Sequence, residues 1–197
     1  MTNTDGQSTT LPQAFFADFL DAPSGSLFHD SIETIFRDGI TAGCGAGSYC
    51  GGAAVSRGQI AVFLLKVMHG SAYLPPACAG LFPDVPCPSM FADWIEELSA
   101  EGISAGCGGG LYCPLGQVPR DHAAVLLLKT EHGTDYVPPV CAGMFADVPC
   151  PSPYADWIEQ LTAEGIAAGC GDAIYCPSSP ATRGQMAVFL EKVPVSP

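Results

Sequence analysis

The chain is poor in positive charge: 7 Lys and Arg stand against 20 Asp and Glu, a net charge of −13 at pH 7 over 197 residues. Nucleic acids and anionic membrane surfaces both require clustered Lys and Arg, so neither is expected as a partner. No apolar run approaches the length of a membrane span, so membrane insertion is not expected. A basic, then apolar, leader is also missing, because Met1 is followed by the polar run Thr2 to Thr10. We therefore expect that a signal peptide has been removed, or that this is a fragment carrying an added Met. Catalytic motifs are absent too. There is no Gly-x-Ser-x-Gly and no His-Glu-x-x-His, and His29, His69, His122 and His132 do not recur in step with any candidate nucleophile. His69 and His132 share one repeat position at a helix end, where a polar residue is unremarkable. Acidic pairs such as Glu96/Glu97 read as solvated helix surface, and no EF-hand spacing occurs. The expectation is a protein that is not an enzyme and has no cofactor and no dedicated metal site.

What the chain has in quantity is cysteine, ten in all, together with 23 Gly and 18 Pro. Cys44, Cys107 and Cys170 recur at a spacing of 63 residues, and the same offset carries Cys50 onto Cys113 and Cys176. Arg57, Arg120 and Arg183 follow it as well. One unit is written three times, so architecture and function are read per copy. Its bounds are residues 15–70, 71–133 and 134–193, with a flexible segment expected at 1–14 and a tail at 194–197.

So many thiols imply an oxidising, extracellular compartment. Each copy has a Cys-x5-Cys loop (Cys44/Cys50, Cys107/Cys113, Cys170/Cys176), and each junction has a Cys-x8-Cys loop (Cys78/Cys87, Cys141/Cys150). The first copy has Phe15 and Ser24 at the junction positions, so that pair is missing as a whole and no thiol is orphaned. Loss as a pair favours disulfides over zinc, whose ligands usually come as Cys-x2-Cys or Cys-x4-Cys. Closing such short loops is worth at most about 2.4 to 2.7 kcal/mol each in the chain-entropy picture.

Within each copy the pattern reads helix, stapled loop, helix, junction. In the second copy the first helix is expected over residues 89–101, with Phe91, Trp94, Ile95 and Leu98 on one apolar face and Ser89 as its N-cap. Gly102 should end it in a Schellman turn that folds Ile103 back on Leu98, as Gly39 and Gly165 do for Ile40 on Ile35 and Ile166 on Leu161. The loop that follows is too rich in Gly and Pro for regular structure, and it lacks the Lys and Ser/Thr of a phosphate-binding loop. The second helix is apolar on nearly all sides (Ile60, Val62, Phe63, Leu64 and Val67 in the first copy), the mark of a central, buried helix. Ala61, Ala124 and Ala187 permit close approach there. Lys66, Lys129 and Lys192 fall in its last turn, where a cation suits the helix dipole.

Ser56 with Gln59, and Thr182 with Gln185, fit the capping box. Capping leaves unexplained the Arg that follows, since a cation in the first turn meets the positive end of the dipole. Three of the four arginines occupy that place. A guanidinium beside free helix N–H groups offers a two-pronged grip on an anion such as a carboxylate. Pairing with an acidic side chain of an adjacent copy explains the same placement.

Together these residues resemble the S-layer homology domain. The motifs are Phe82-Pro83-Asp84-Val85, Trp94, Gly102-Ile103-Ser104-Ala105-Gly106 and Pro119-Arg120-Asp121-His122-Ala123. They recur as Phe145-Ala146-Asp147-Val148, Trp157, Gly165-Ile166-Ala167-Ala168-Gly169 and Thr182-Arg183-Gly184-Gln185-Met186-Ala187. The first copy is the most diverged, with Phe19-Leu20-Asp21-Ala22 and with Ser31 in place of Trp. The resemblance covers residues 15–193. It implies an all-α fold of three helix-loop-helix repeats with pseudo-three-fold symmetry around a central three-helix bundle. It also implies a cell-surface anchoring module whose inter-repeat grooves bind an anionic cell-wall polysaccharide, commonly through a pyruvate ketal held by the motif Arg. Carried over by position, those residues are Arg57, Arg120 and Arg183, with Trp94 and Trp157 as groove walls. The chain departs from the family pattern in having Gln59, His122 or Gln185 where an acidic residue usually follows the Arg, in Pro119, and in the disulfides. Two other readings stand beside anchoring: a subunit that self-assembles into an extracellular coat or filament, and the terminal attachment domain of a larger secreted hydrolase.

Overall fold

The computed structural model describes residues 19–193, which contain six helices and no named strand. The segments expected at 1–14 and 194–197 lie outside the described residues. In chain order the helices are α1 (His29–Arg37), α2 (Arg57–His69), α3 (Ala92–Ala100), α4 (Arg120–His132), α5 (Ala155–Ala163) and α6 (Arg183–Lys192). No helix among them is long and apolar enough to cross a membrane.

The short helices α1, α3 and α5 each bury one stripe. On α3 that stripe is Ala92, Ile95 and Leu98, with Phe91 and Trp94 half-buried at its margin. Its end is the Schellman turn that the Gly encodes: Gly102, at φ 76°, donates to Ser99 O, and Ile103 N donates to Leu98 O at 3.2 Å. Ile40 to Ile35 and Ile166 to Leu161 repeat the bond at 2.9 and 3.1 Å. Its start differs from the sequence reading. Helix α3 begins at Ala92, and Ser89 makes no side-chain cap. The chain enters through a turn in which the Ser89 carbonyl accepts the Ala92 N–H at 3.1 Å, so the hydroxyl sits too early to reach the helix.

The long helices α2, α4 and α6 carry the core. Ala61, Ala124 and Ala187 are wholly buried on them, beside Leu64, Leu127 and Leu190. Both capping boxes form, at Ser56/Gln59 and Thr182/Gln185. Lys66 and Lys192 reach back to the carbonyls of Gly39 and Gly165, so each ties the end of one helix to the end of another in its own copy.

Copies are joined side by side. Helix α3 packs on α2, α5 on α4 and α1 on α6, while α2 also meets α4 and α6. At the entry to the long helices, Val55 N donates to Ala181 O, Ala181 N to Val118 O and Val118 N to Val55 O, at 2.9, 2.9 and 3.0 Å. These three residues hold the same repeat position, and their bonds close a ring. All ten cysteines pair as the spacing requires: Cys44–Cys50, Cys78–Cys87, Cys107–Cys113, Cys141–Cys150 and Cys170–Cys176.

Candidate functional site

Each motif Arg is the first residue of its long helix and lies under the stapled loop of another copy. Arg57 Nε donates to Tyr112 O at 2.8 Å, Arg120 Nε to Tyr175 O at 3.0 Å and Arg183 Nε to Tyr49 O at 2.8 Å. Each Tyr hydroxyl returns the donation to the same Arg's carbonyl, and its ring lies 4.6–4.9 Å from the guanidinium carbon. Arg183 of the third copy reaches Tyr49 of the first. Burial pushes the Tyr49 and Tyr175 hydroxyls up to about 12, so they remain donors at any ordinary pH.

The helix N–H groups expected to be free are occupied. Arg57 N and Gly58 N donate to Gly116 O and Pro114 O, Arg120 N and Asp121 N to Ser179 O and Pro177 O, and Arg183 N and Gly184 N to Ala53 O and Gly51 O. Carbonyls of a neighbouring loop thus cap each helix start and remove the backbone half of the expected anion site. The guanidinium groups remain. They are 9%, 3% and 3% exposed in chain order, and none has a carboxylate within ion-pair distance among the described residues.

Their outer nitrogens differ. Arg57 Nη2 donates to Ser104 Oγ at 3.1 Å, and Arg120 Nη2 to Ala168 O at 2.6 Å. Arg183 Nη2 is buried with no partner. The counterpart of Ser104 in the first copy is Thr41, whose hydroxyl accepts the Gly43 N–H at 3.2 Å instead. Burial pulls the Arg183 pKa below its ordinary value, with Tyr49 and Asp21 opposing, and the group stays a cation at neutral pH.

Arg183 opens onto a cleft of about 350 Å³, lined among others by Thr41, Gln59, Lys66 and Phe91. An equivalent cleft of about 280 Å³ holds Arg57, Ser104, His122, Lys129 and Tyr154. Each has one Arg, one Lys and no carboxylate in its lining. On a chain of net charge −13 these are local cationic spots. Trp94 and Trp157 line neither cleft. They pack toward Tyr73 and Tyr136, at ring distances of 6.3 and 6.1 Å, and the aromatic walls are Phe91 and Tyr154. Gly58 makes room for Phe91, since a Cβ there would lie 2.7 Å from its ring.

Several carboxylates have work that the sequence reading did not assign. Asp84 accepts the N–H groups of Tyr112 and Cys113 at 2.9 and 2.7 Å, and Asp21 and Asp147 treat Tyr49/Cys50 and Tyr175/Cys176 alike. They fix the loop under which the Arg lies. The signal was present in the Asp of each Phe-x-Asp motif and in the Tyr-Cys pair, both repeated at the 63-residue spacing. Glu96 and Glu97 are half-buried instead of solvated: Glu96 accepts from Ala79, Gly80 and Leu81, and Glu97 from the Tyr73 hydroxyl. No protein-family model matches the chain, and no curated protein matches it.

Proposed function

We propose that this chain is a non-catalytic, extracellular anchoring module that binds an anionic, pyruvylated cell-wall polysaccharide in clefts between its repeats, three copies standing in pseudo-three-fold symmetry around α2, α4 and α6. The ring through Val55, Ala181 and Val118, and the Arg–Tyr locks that run from the third copy back to the first, support that arrangement. The observation that carries the binding reading is the unpartnered Nη2 of Arg183, buried at the floor of a cleft that also holds Lys66. A buried donor without an acceptor is costly, and a carboxylate entering the cleft supplies the acceptor. The three arginines are then unequal: Arg57 and Arg120 each direct Nη2 to an internal acceptor, and Arg183 grips the ligand. Long-range repulsion from the acidic surface is screened over about 8 Å at physiological salt, so a local cation suffices.

Binding of the full chain to purified wall polysaccharide, before and after mild acid removes its ketals, tests this. We expect acid treatment, Lys66→Met and Arg183→Lys each to weaken binding at least tenfold, with the fold checked by circular dichroism, and Arg120→Lys to leave it within twofold. Binding that survives both Lys66→Met and Arg183→Lys would overturn the assignment.

One observation favours a second reading, assembly into a coat. Exposed apolar residues recur at the repeat spacing, Leu27 with Met90 and Leu74 with Val137, all more than 80% exposed. Ordered polymers in electron micrographs of the pure protein, without polysaccharide, would favour it over anchoring.

A further inference from the structure

The junction after the second copy gathers polar side chains that the clefts do not use. Glu131 and His132 end α4, and Glu164 follows the last residue of α5. One ligand atom of each lies within 4.8 Å of the other two. His132 Nε2 stands 2.9 Å from Glu164 Oε1. The Oε2 atoms of Glu131 and Glu164 are both shut off from solvent and have no hydrogen-bond partner. Among the described residues no Lys or Arg pairs with either carboxylate.

We infer that Glu131, His132 and Glu164 form a divalent-cation site, one imidazole and two carboxylates, of a kind that suits Zn²⁺ or Mn²⁺. The donors are those these ions take, and a cation satisfies both unpartnered oxygens while neutralising the facing charges. Supporting groups are in place. The Tyr136 ring stacks on His132 at 4.3 Å, and Gln160 Nε2 donates to Glu164 Oε1. With every cysteine in a disulfide, no thiolate competes for the ion.

The chain supplies its own control. At the preceding junction His69 and Glu101 make the same contact at 2.7 Å, and the Tyr73 ring lies tilted against His69 at 4.3 Å. Position 131 is there Met68, so one ligand is missing. Among the described residues the full set of three occurs only at the second junction, and Glu131→Met merely copies a packing that the protein already tolerates.

Titration of the full, oxidised chain with Zn²⁺ at pH 7, followed by calorimetry and by histidine ring resonances, tests the inference. We expect one equivalent bound, with the His132 signals moving and those of His69 still. Glu131→Met should weaken binding at least tenfold, and Met68→Glu should create a second equivalent. A parallel titration with Mn²⁺ should broaden the His132 signals first. Unchanged Zn²⁺ affinity in Glu131→Met would place the ion elsewhere and overturn the site. So would the absence of saturable binding below millimolar Zn²⁺, which would leave a shared proton as what holds the two carboxylates together.

Discussion

A carboxylate can stabilise a fold by accepting from backbone instead of from a base, and this chain does so repeatedly. Glu159 takes the N–H groups of Ala142, Gly143 and Met144 at 2.6, 2.8 and 2.7 Å, closing the turn inside the Cys141–Cys150 loop. Burial works against its charge, yet the three donors outweigh it and hold the carboxyl below the usual range. The Asp residues face a harder geometry. Cys50, Cys113 and Cys176 sit at φ of 59–60°, a left-handed conformation that costs a non-glycine residue about 1 kcal/mol. Each is held there by a disulfide and by an Asp carboxylate on its N–H. Charge-assisted bonds of this kind are stronger than neutral ones, so Glu159→Ala should cost about 2 kcal/mol. Urea unfolding of the oxidised chain measures it. A loss under about 0.5 kcal/mol would mean that water replaces the carboxylate without penalty.

Most helix ends were legible in the sequence because their chemistry is local, the exception being Ser89, which lies too early to cap α3. The Schellman glycines and both capping boxes lie within a few residues of the groups they satisfy, and all formed as read. Cystine pairing was legible for the same reason. What closed the helix starts was not, because Gly116 and Pro114 reach Arg57 and Gly58 from another copy, and no short window contains both. The surroundings of the tryptophans were not legible either: a helical stripe shows that Trp94 is apolar-facing, but not that its ring meets Tyr73 while Phe91 lines the cleft. Two glycines separate these levels by experiment. Gly165 has φ 73° and open space around an added Cβ, so Gly165→Ala should cost only the backbone term, about 1 kcal/mol, and leave polysaccharide binding intact. Gly58 has no such φ, but its Cβ would strike Phe91, so Gly58→Ala should displace the cleft wall and weaken binding. Melting curves and the polysaccharide assay together check the pair. Equal effects of both variants on binding would remove Phe91 from the site.

Over the whole molecule, acid stability sets two charge effects against each other. The net charge of −13 repels itself, so lowering pH toward the pI of about 4.3 should at first raise stability. Glu131 adds to that rise: its folded pKa lies above the unfolded value, so its ionised form costs stability at neutral pH, and the cost lifts as the group protonates. The opposite sign belongs to Asp21, Asp84, Asp147, Glu96 and Glu159, all held low when folded. Their contribution is complete above the unfolded carboxylate range, near pH 4, and is lost as pH falls through the lower folded values. The melting midpoint of the oxidised chain should therefore rise modestly from pH 7 to about 5 and fall steeply below about 4. A midpoint that keeps rising to pH 3 would show that the backbone-bound carboxylates contribute nothing. Saturating Zn²⁺ sharpens the experiment, because an ion between Glu131 and Glu164 neutralises the pair that the acid would otherwise relieve. With Zn²⁺ the rise between pH 7 and 5 should shrink or reverse, while the fall below about 4 stays, since the loop carboxylates lie outside the metal's reach.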